Sequence, residues 1–406
     1  MLTRISSTPK NYSWGSATAI PRLLGTAPDG RPQAELWLGA HPDSVTTLVD
    51  AAPGVPATLN EWVQSDPAST LGGGSRLPFL LKLLAAERPL SLQAHPTLDR
   101  ARAGFADENA RGVARDSPAR NYKDEWHKPE LMVALHDGFA ALCGFRPVVE
   151  TGELLDHLLG AVGGESRVHI EAFRRSVLDE GLEAAVGSVL LGDSRPLVDA
   201  VTAAARAAGA RPTEGPWPGE CRLIQTLDRH YPGDPGIAVA TLLNYMELRE
   251  GQALYLPAGN IHAYVHGLGI EIMAASDNVL RGGLTDKGVD IPELLAVLDF
   301  SPMPPPLVEP VPRPGGYAEY PTPLPDFRLV RVDAADAELE LENSAIVIAV
   351  AGGASLGDGT THLSLQQGEA VFVTPTPALS LRAAGTVFVA TSGPREGEER
   401  DRSPDA

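Results

Sequence analysis

Ten prolines fall within residues 302–325, at positions 302, 304, 305, 306, 310, 312, 314, 321, 323 and 325. Such a stretch can form neither a helix interior nor a central strand, because each ring removes a backbone donor and fixes φ. The chain is therefore expected in two parts joined by an extended linker. Upstream, AELWLGAHPDS and RLPFLLKLLAAERPLSLQAHP alternate short apolar runs with turn residues and read as strands with loops up to about residue 145. Downstream, FRLVRVDA, AELELEN, AIVIAVAGG, LSLQQGEAVFVTP, LSLRAA and TVFVATSG are short β runs at nearly regular spacing, as in a sandwich or barrel.

Between these β regions the texture changes to Ala, Leu, Glu and Arg at helical spacing, as in TGELLDHLLGAV and RPLVDAVTAAARAAGA, with Phe173 as the sole aromatic. VATLLNYMELR after it also reads as helix and leads into strand-like ALYLPAG. The expected organisation is a first β domain over 1–145 and 225–301, a helical insertion over 146–224, the linker 302–325, a C-terminal β domain over 326–394 and a disordered, charged tail over 395–406.

With 43% hydrophobic and 21% charged residues, the 406-residue chain has the material for sizeable cores. Its net charge of −19 argues against nucleic acid as a partner. No apolar run is long enough to span a bilayer, so no membrane partner is expected and a cytoplasmic location follows by default. Cys143 and Cys221 are the only cysteines and lack CxxC spacing, so any metal must be held by N and O donors. Lysine is scarce: Lys10, Lys82, Lys123, Lys128 and Lys287 stand among 33 basic residues, and all five lie in the motifs below.

The densest motif is GQALYLPAGNIHAY, in which Gly251, Pro257, Gly259 and His262 follow the spacing G-x5-P-x-G-x2-H. The glycines and proline shape a tight turn that aims His262 inward from the next strand. A hairpin with a core histidine would read the same way. Gln93 and His95, two residues apart, share one face of a strand. A buried amide beside a satisfied histidine would also fit. Asp99 is the nearest carboxylate downstream, but Glu130 in NYKDEWHKPE is the better candidate: Pro129 favours extended backbone, which puts Lys128 and Glu130 on one side. In EIMAASDNVLRGGLTDK, Glu271 precedes a polar turn at Ser276-Asp277-Asn278, and Arg281 adjoins two glycines. Read alone, this stretch is a solvated charged loop.

GQALYLPAGNIHAY resembles the second metal motif of cupin β-barrels, with His266 standing where many cupins have Asn. Together, FLLKLLAAERPLSLQAHP, NYKDEWHKPE, YLPAGNIHAY and EIMAASDNVLRGGLTDK resemble the type I mannose-6-phosphate isomerases, zinc-dependent members of the cupin superfamily. KNYSWG from Lys10, AELWLGAHP around Trp37 and LCGFRP around Cys143 support the likeness. It runs to about residue 300, is sparse in the helical segment and is only architectural beyond. It implies a mainly β fold: a cupin or jelly-roll catalytic β-barrel with an α-helical insertion and a second, C-terminal jelly-roll-like domain.

The resemblance implies one Zn²⁺ per chain held by Gln93, His95, Glu130 and His262, where cupins more usually supply His in place of Gln93. It places Ser91, Lys82, Lys128, Glu271, Arg281 and Lys287 around a phosphorylated hexose, with Tyr264 and Asp277 as further substrate-binding candidates. In so acidic a chain, a dianionic phosphate needs a local cluster of cations, which Lys82, Lys128 and Lys287 would supply. The implied reaction interconverts mannose 6-phosphate and fructose 6-phosphate through a cis-enediol, serving GDP-mannose biosynthesis or mannose catabolism. Glu271 is the candidate proton-transfer group and Arg281 the candidate stabiliser of the enediolate, with Lys128 also among the catalytic residues; a zinc-bound water or another polar residue could share the base's role.

Two alternatives stay open. His95, Glu130 and His262 also form the two-His-one-carboxylate set of non-haem Fe(II) oxygenases, although a fourth ligand at Gln93 argues against their open face. A non-catalytic sugar-binding cupin would keep the barrel without turnover. The C-terminal domain has Ala378 and Leu379 where a histidine would fall, which points to packing or oligomerisation; the oligomeric state is not readable, and a monomer is compatible with everything above.

Overall fold

The computed structural model describes residues 1–49, 54–209 and 216–393. The thirteen-residue strand His262–Ala274 is its spine. The second half of this strand pairs with Phe79–Ala86 on one side and Glu130–Ala134 on the other. The sheet continues outward to Glu35–Leu38 beyond Phe79–Ala86 and to Ala253–Leu256 beyond Glu130–Ala134. The first half of the spine pairs instead with Phe139–Phe145 and, at His262, with Gln93. The changeover falls at a register shift between Tyr264 and His266, beside Gly267, whose φ of 126° suits glycine and where a Cβ would meet the Phe139 backbone at 2.9 Å. Bulges of this kind let one strand serve two layers. All pairings are antiparallel, and among the described residues none closes the sheet into a ring, so the expected barrel is an open, bent sheet.

Phe79–Ala86 and Glu130–Ala134 are buried along their whole length, which requires cover on both faces. Leu81, Leu83, Leu131, Val133, Ile270 and Ile272 pack outward against Ile346, Ile348, Phe372 and Phe388 of the C-terminal region. The opposite face carries Lys82, Glu130 and Glu271 and forms the floor of the site described below. The C-terminal region is a sandwich of an eight-stranded and a four-stranded sheet. Its strand Ala345–Ala349 sends Ile346 and Ile348 to the interdomain core and Ala345, Val347 and Ala349 to the sandwich core, so its continuous apolar run serves two layers.

Four further expectations are corrected. Leu2–Ser6 pairs with Ala370–Val373, so the first strand belongs to the C-terminal sheet and ties the two ends of the chain together. The proline-rich stretch does more than connect: Leu307–Val308 pairs with Ala253–Leu256, and Val311–Arg313 forms a hairpin with Tyr317–Tyr320 around Gly315 and Gly316. These are edge positions, where a missing N–H costs little. The helices run past the expected boundary, from Val148 to Ala240, so that VATLLNYMELR begins in a helix as read, but NYMEL is strand within Leu243–Leu248 and pairs with Phe139–Phe145. The helical core, including Leu155, Phe173, Val201 and Leu227, packs on Leu142 and Val265 of the sheet. The expected tail over 395–406 lies outside the described residues.

Candidate active site

A cavity of about 780 Å³ opens at one end of the sheet. Ser91, Lys82, Gln93, Lys128, Glu130, Tyr264, Glu271, Asp277, Arg281 and Lys287 all line it. Asp99, on the helix Leu98–Ala110, does not, and exposed His266 turns away from it.

Behind the Gln93 and Glu130 side of this lining, which includes neither histidine, His95, Glu130 and His262 converge with ligand atoms within 4.8 Å of one another. Cross-strand register brings Gln93 beside His262, and the turn that follows Pro257 docks on His95 through Gly259 N–H to the His95 carbonyl, 2.8 Å. His95 Nδ1 lies 2.7 Å from the carbonyl of Asn278, and His262 Nδ1 lies 3.0 Å from that of Asn260. A carbonyl only accepts, so both Nδ1 atoms carry protons, which leaves Nε2 as the nitrogen through which either ring could ligate. Those Nε2 atoms sit 3.2 and 3.4 Å from Glu130 but make no aligned hydrogen bond, and both are buried. Two buried ring nitrogens and a carboxylate oxygen facing one another without a hydrogen-bond partner are unsatisfied as they stand, and this donor set fits a metal ion. Burial, with Lys128 nearby, pushes His95 down to about 4 and keeps it in the neutral, ligating form. Burial opposes ionisation of Glu130, but Lys128 at 2.8 Å and His95 hold it well below the usual carboxylate range.

A second buried group lies across the strands. Lys82 and Glu271 are register partners, and Lys82 Nζ is 3.0 Å from Glu271 Oε2 and 3.7 Å from Glu35 Oε1. Tyr264 donates its hydroxyl to Glu271 Oε1 at 2.9 Å. Burial, reinforced by Glu130 and opposed by Lys82, lifts Glu271 above the ordinary carboxylate range. Burial works to discharge Lys82, yet Glu271 and Glu35 keep it charged. Trp37, the register partner of Lys82 on the adjacent strand, packs its ring 5.0 Å from both Lys82 Nζ and Lys10 Nζ.

This arrangement redistributes the expected phosphate cluster. Lys82 and Lys128 are spent on buried carboxylates, because only a cation on each lets Glu271 and Glu130 stay in the interior. Among the described residues, Arg281, Lys287 and Lys123 make no ion pair and line the same cavity. Arg281 stands opposite Gln93 in the short strand Leu280–Arg281. Burial lowers Arg281, and burial with the neighbouring charges of Arg281 and Lys123 lowers Lys287, as a wall awaiting an anion requires. Asp277 accepts from His41 Nε2 at 3.2 Å, which keeps it ionised despite burial.

His41, Glu35 and Asp124 were not singled out by sequence reasoning, and Asn278 reads only as part of the polar turn 276–278. Alternation in ELWL puts Glu35 and Trp37 on one face and could have flagged Glu35; nothing local marks the others.

A model of the phosphomannose isomerase type I catalytic domain matches residues 2–148. Mannose-6-phosphate isomerase of Escherichia coli (strain K12) is 37% identical over 92% of this chain and 94% of its own length. The chain belongs to the mannose-6-phosphate isomerase family. The Homo sapiens member is 29% identical over 93% of this chain and 94% of its own. Among solved members, the apo form from Salmonella typhimurium superposes with a TM-score of 0.84 at 33% identity, covering 97% of this chain and 99% of that one. A mannose 6-phosphate isomerase bound with zinc and yttrium gives 0.85 at 33% identity, covering 97% and 100%. Mannose-6-phosphate isomerases are enzymes of a mainly antiparallel, cupin-type fold, and neither the oxygenase nor the non-catalytic alternative finds support. Among the described residues, no helix is long and apolar enough to cross a membrane.

Proposed function

We infer that this chain interconverts mannose 6-phosphate and fructose 6-phosphate, with one Zn²⁺ per chain held by His95, Glu130 and His262 and completed by Gln93. The observation that carries this reading is the pairing of two ligating environments at one cavity. Buried imidazole nitrogens face a carboxylate behind the lining, and unpaired cations line the wall. A phosphorylated sugar offers a match to both, with hydroxyl oxygens for the metal and a dianion for Lys287 and Lys123, leaving Arg281 for charge that develops during reaction.

Aldose-ketose isomerisation moves a proton from C2 to C1 of the opened sugar through a cis-enediol. Its difficulty is the weak acidity of C2–H and the charge that grows on the sugar oxygens. Zn²⁺, when bound, supplies a Lewis acid that polarises those oxygens. Glu271 is the proton carrier in this reading: its raised pKa suits a group that takes a proton and returns it, and Tyr264 and Lys82 fix both of its oxygens. Arg281 meets the oxygen on which negative charge develops. Lys128 keeps Glu130 ionised, and Ser91 and Asp277 contact sugar hydroxyls.

A coupled assay for fructose 6-phosphate tests the reading. The folded, zinc-loaded protein is expected to form it from mannose 6-phosphate and to lose activity on chelation. No product from such a preparation, or full activity without metal, would overturn it.

A further inference from the structure

The residues that aim the metal ligands can be traced one shell further out. Asn278 lies outside any strand, between Ala274 and Leu280, yet it is fully buried. Its side-chain amide docks on the backbone of residues 123–126. Oδ1 accepts from Lys123 N–H at 2.8 Å and Asp124 N–H at 3.3 Å, while Nδ2 donates to the carbonyls of Asp124 and Trp126, both at 2.8 Å. The flanks are stitched to the same segment: Ser276 Oγ donates to Asp124 Oδ1 at 2.8 Å, and Asp277 N–H donates to Asp124 Oδ2 at 2.8 Å. The carbonyl of Asn278 is the group that receives His95 Nδ1–H.

One residue thus connects two ligands far apart in sequence, through its backbone carbonyl and its side-chain amide. Its carbonyl sets the ring of His95, and its amide anchors the segment that leads from Trp126 through Lys128 to Glu130. We propose that Asn278 is a positioning residue for the metal centre: its docked amide holds its own carbonyl on His95 Nδ1 and thereby aims His95 Nε2 at the ion beside Glu130. The proposal rests on the assignment of His95, Glu130 and His262 as metal ligands. Partners one shell beyond a metal ligand typically contribute 10- to 100-fold in affinity, since a ring free to swing offers its lone pair only part of the time.

The test is Asn278→Asp, which keeps the shape and the acceptor but removes both Nδ2–H donors, so that a carboxylate faces two carbonyls. Zn²⁺ affinity is read by competition with a chromophoric chelator, and geometry by the visible spectrum of the Co²⁺-loaded protein. Asn278→Asp is expected to bind Zn²⁺ about 10- to 100-fold more weakly and to shift the Co²⁺ bands. Leu356→Ala, in the core of the C-terminal sandwich, is expected to lower the melting temperature with neither effect, which separates positioning from general loosening. Should the new carboxylate prevent folding, Asn278→Ala removes the Nδ2 bonds together with those to Oδ1, adds no charge, and is expected to weaken Zn²⁺ in the same direction. If His95→Ala binds Zn²⁺ as tightly as wild type, the ligand assignment falls and the proposal with it. If His95→Ala loses Zn²⁺ while a folded Asn278 variant keeps wild-type affinity and spectrum, the ligands stand and Asn278 is cleared of this role.

Discussion

Replacing Lys82 with Met would leave Glu271, a buried carboxylate, without its nearest cation. The pair is separated by 3.0 Å, and both side chains are buried. At that distance the attraction is about 5.5 kcal/mol for an effective dielectric of about 20, and removing one partner of a buried pair typically costs about 3–5 kcal/mol. A loss of that size is expected at pH 8. At lower pH the variant has an escape, because Glu271 can be protonated. Its folded pKa is already raised with Lys82 present and rises further without it. A carboxyl whose folded pKa exceeds its unfolded value favours folding only where it is protonated. Stability is therefore kept below the unfolded pKa of about 4.3 and lost as pH rises through the folded pKa, by at most about 1.4 kcal/mol per pH unit. Urea unfolding of wild type and Lys82→Met, followed by circular dichroism at pH 5.5 and 8, should show the larger deficit at pH 8. Adding Glu271→Gln to the variant should recover most of it, since both charges are then gone. A deficit that is equal at both pH values, or below about 1 kcal/mol as for exposed pairs, would refute the reasoning.

His262→Ala should strip the metal: elemental analysis of the purified variant is expected to show less than about a tenth of the wild-type zinc, because too few donors remain, and wild-type content would remove His262 from the ligand set. Arg281→Lys keeps the charge but misplaces a planar donor pair, so kcat and kcat/KM should fall together by about 10²- to 10³-fold with KM little changed. A raised KM with intact kcat would assign Arg281 to ground-state binding instead. Lys287→Met should weaken mannose 6-phosphate by about 1.5–3 kcal/mol, measured by competition, while leaving the weak binding of free mannose unchanged; equal effects on both sugars would show that Lys287 does not meet the phosphate.

Much of this protein is written in local pattern. The regular β runs after residue 326, the helical texture after Val148 and the turn at Pro257–Gly259 depend on neighbours within a few residues, and each is legible for that reason. The candidate ligands were legible too, because spacing and turn chemistry dictate which way Gln93, His95 and His262 point once a strand is assumed. Pairing between distant strands is not local. Nothing around Lys82 announces that residue 271 will stand opposite it, and only that register turns a presumed phosphate lysine into the counterion of a buried carboxylate. Leu2–Ser6 reads as an ordinary strand wherever it pairs; its place beside Ala370–Val373 follows from closure of the whole chain. Asn278, which reads as a loop residue, is buried because residues 123–126 arrive to bond its amide. The sequence by itself nominated candidate ligands through spacing and turn chemistry, and candidate proton-transfer and anion-binding residues through family resemblance. The tertiary structure decided which cations remain unpaired for substrate, because charge neutralisation in a low-dielectric interior depends on partners that only the fold brings within a few ångströms.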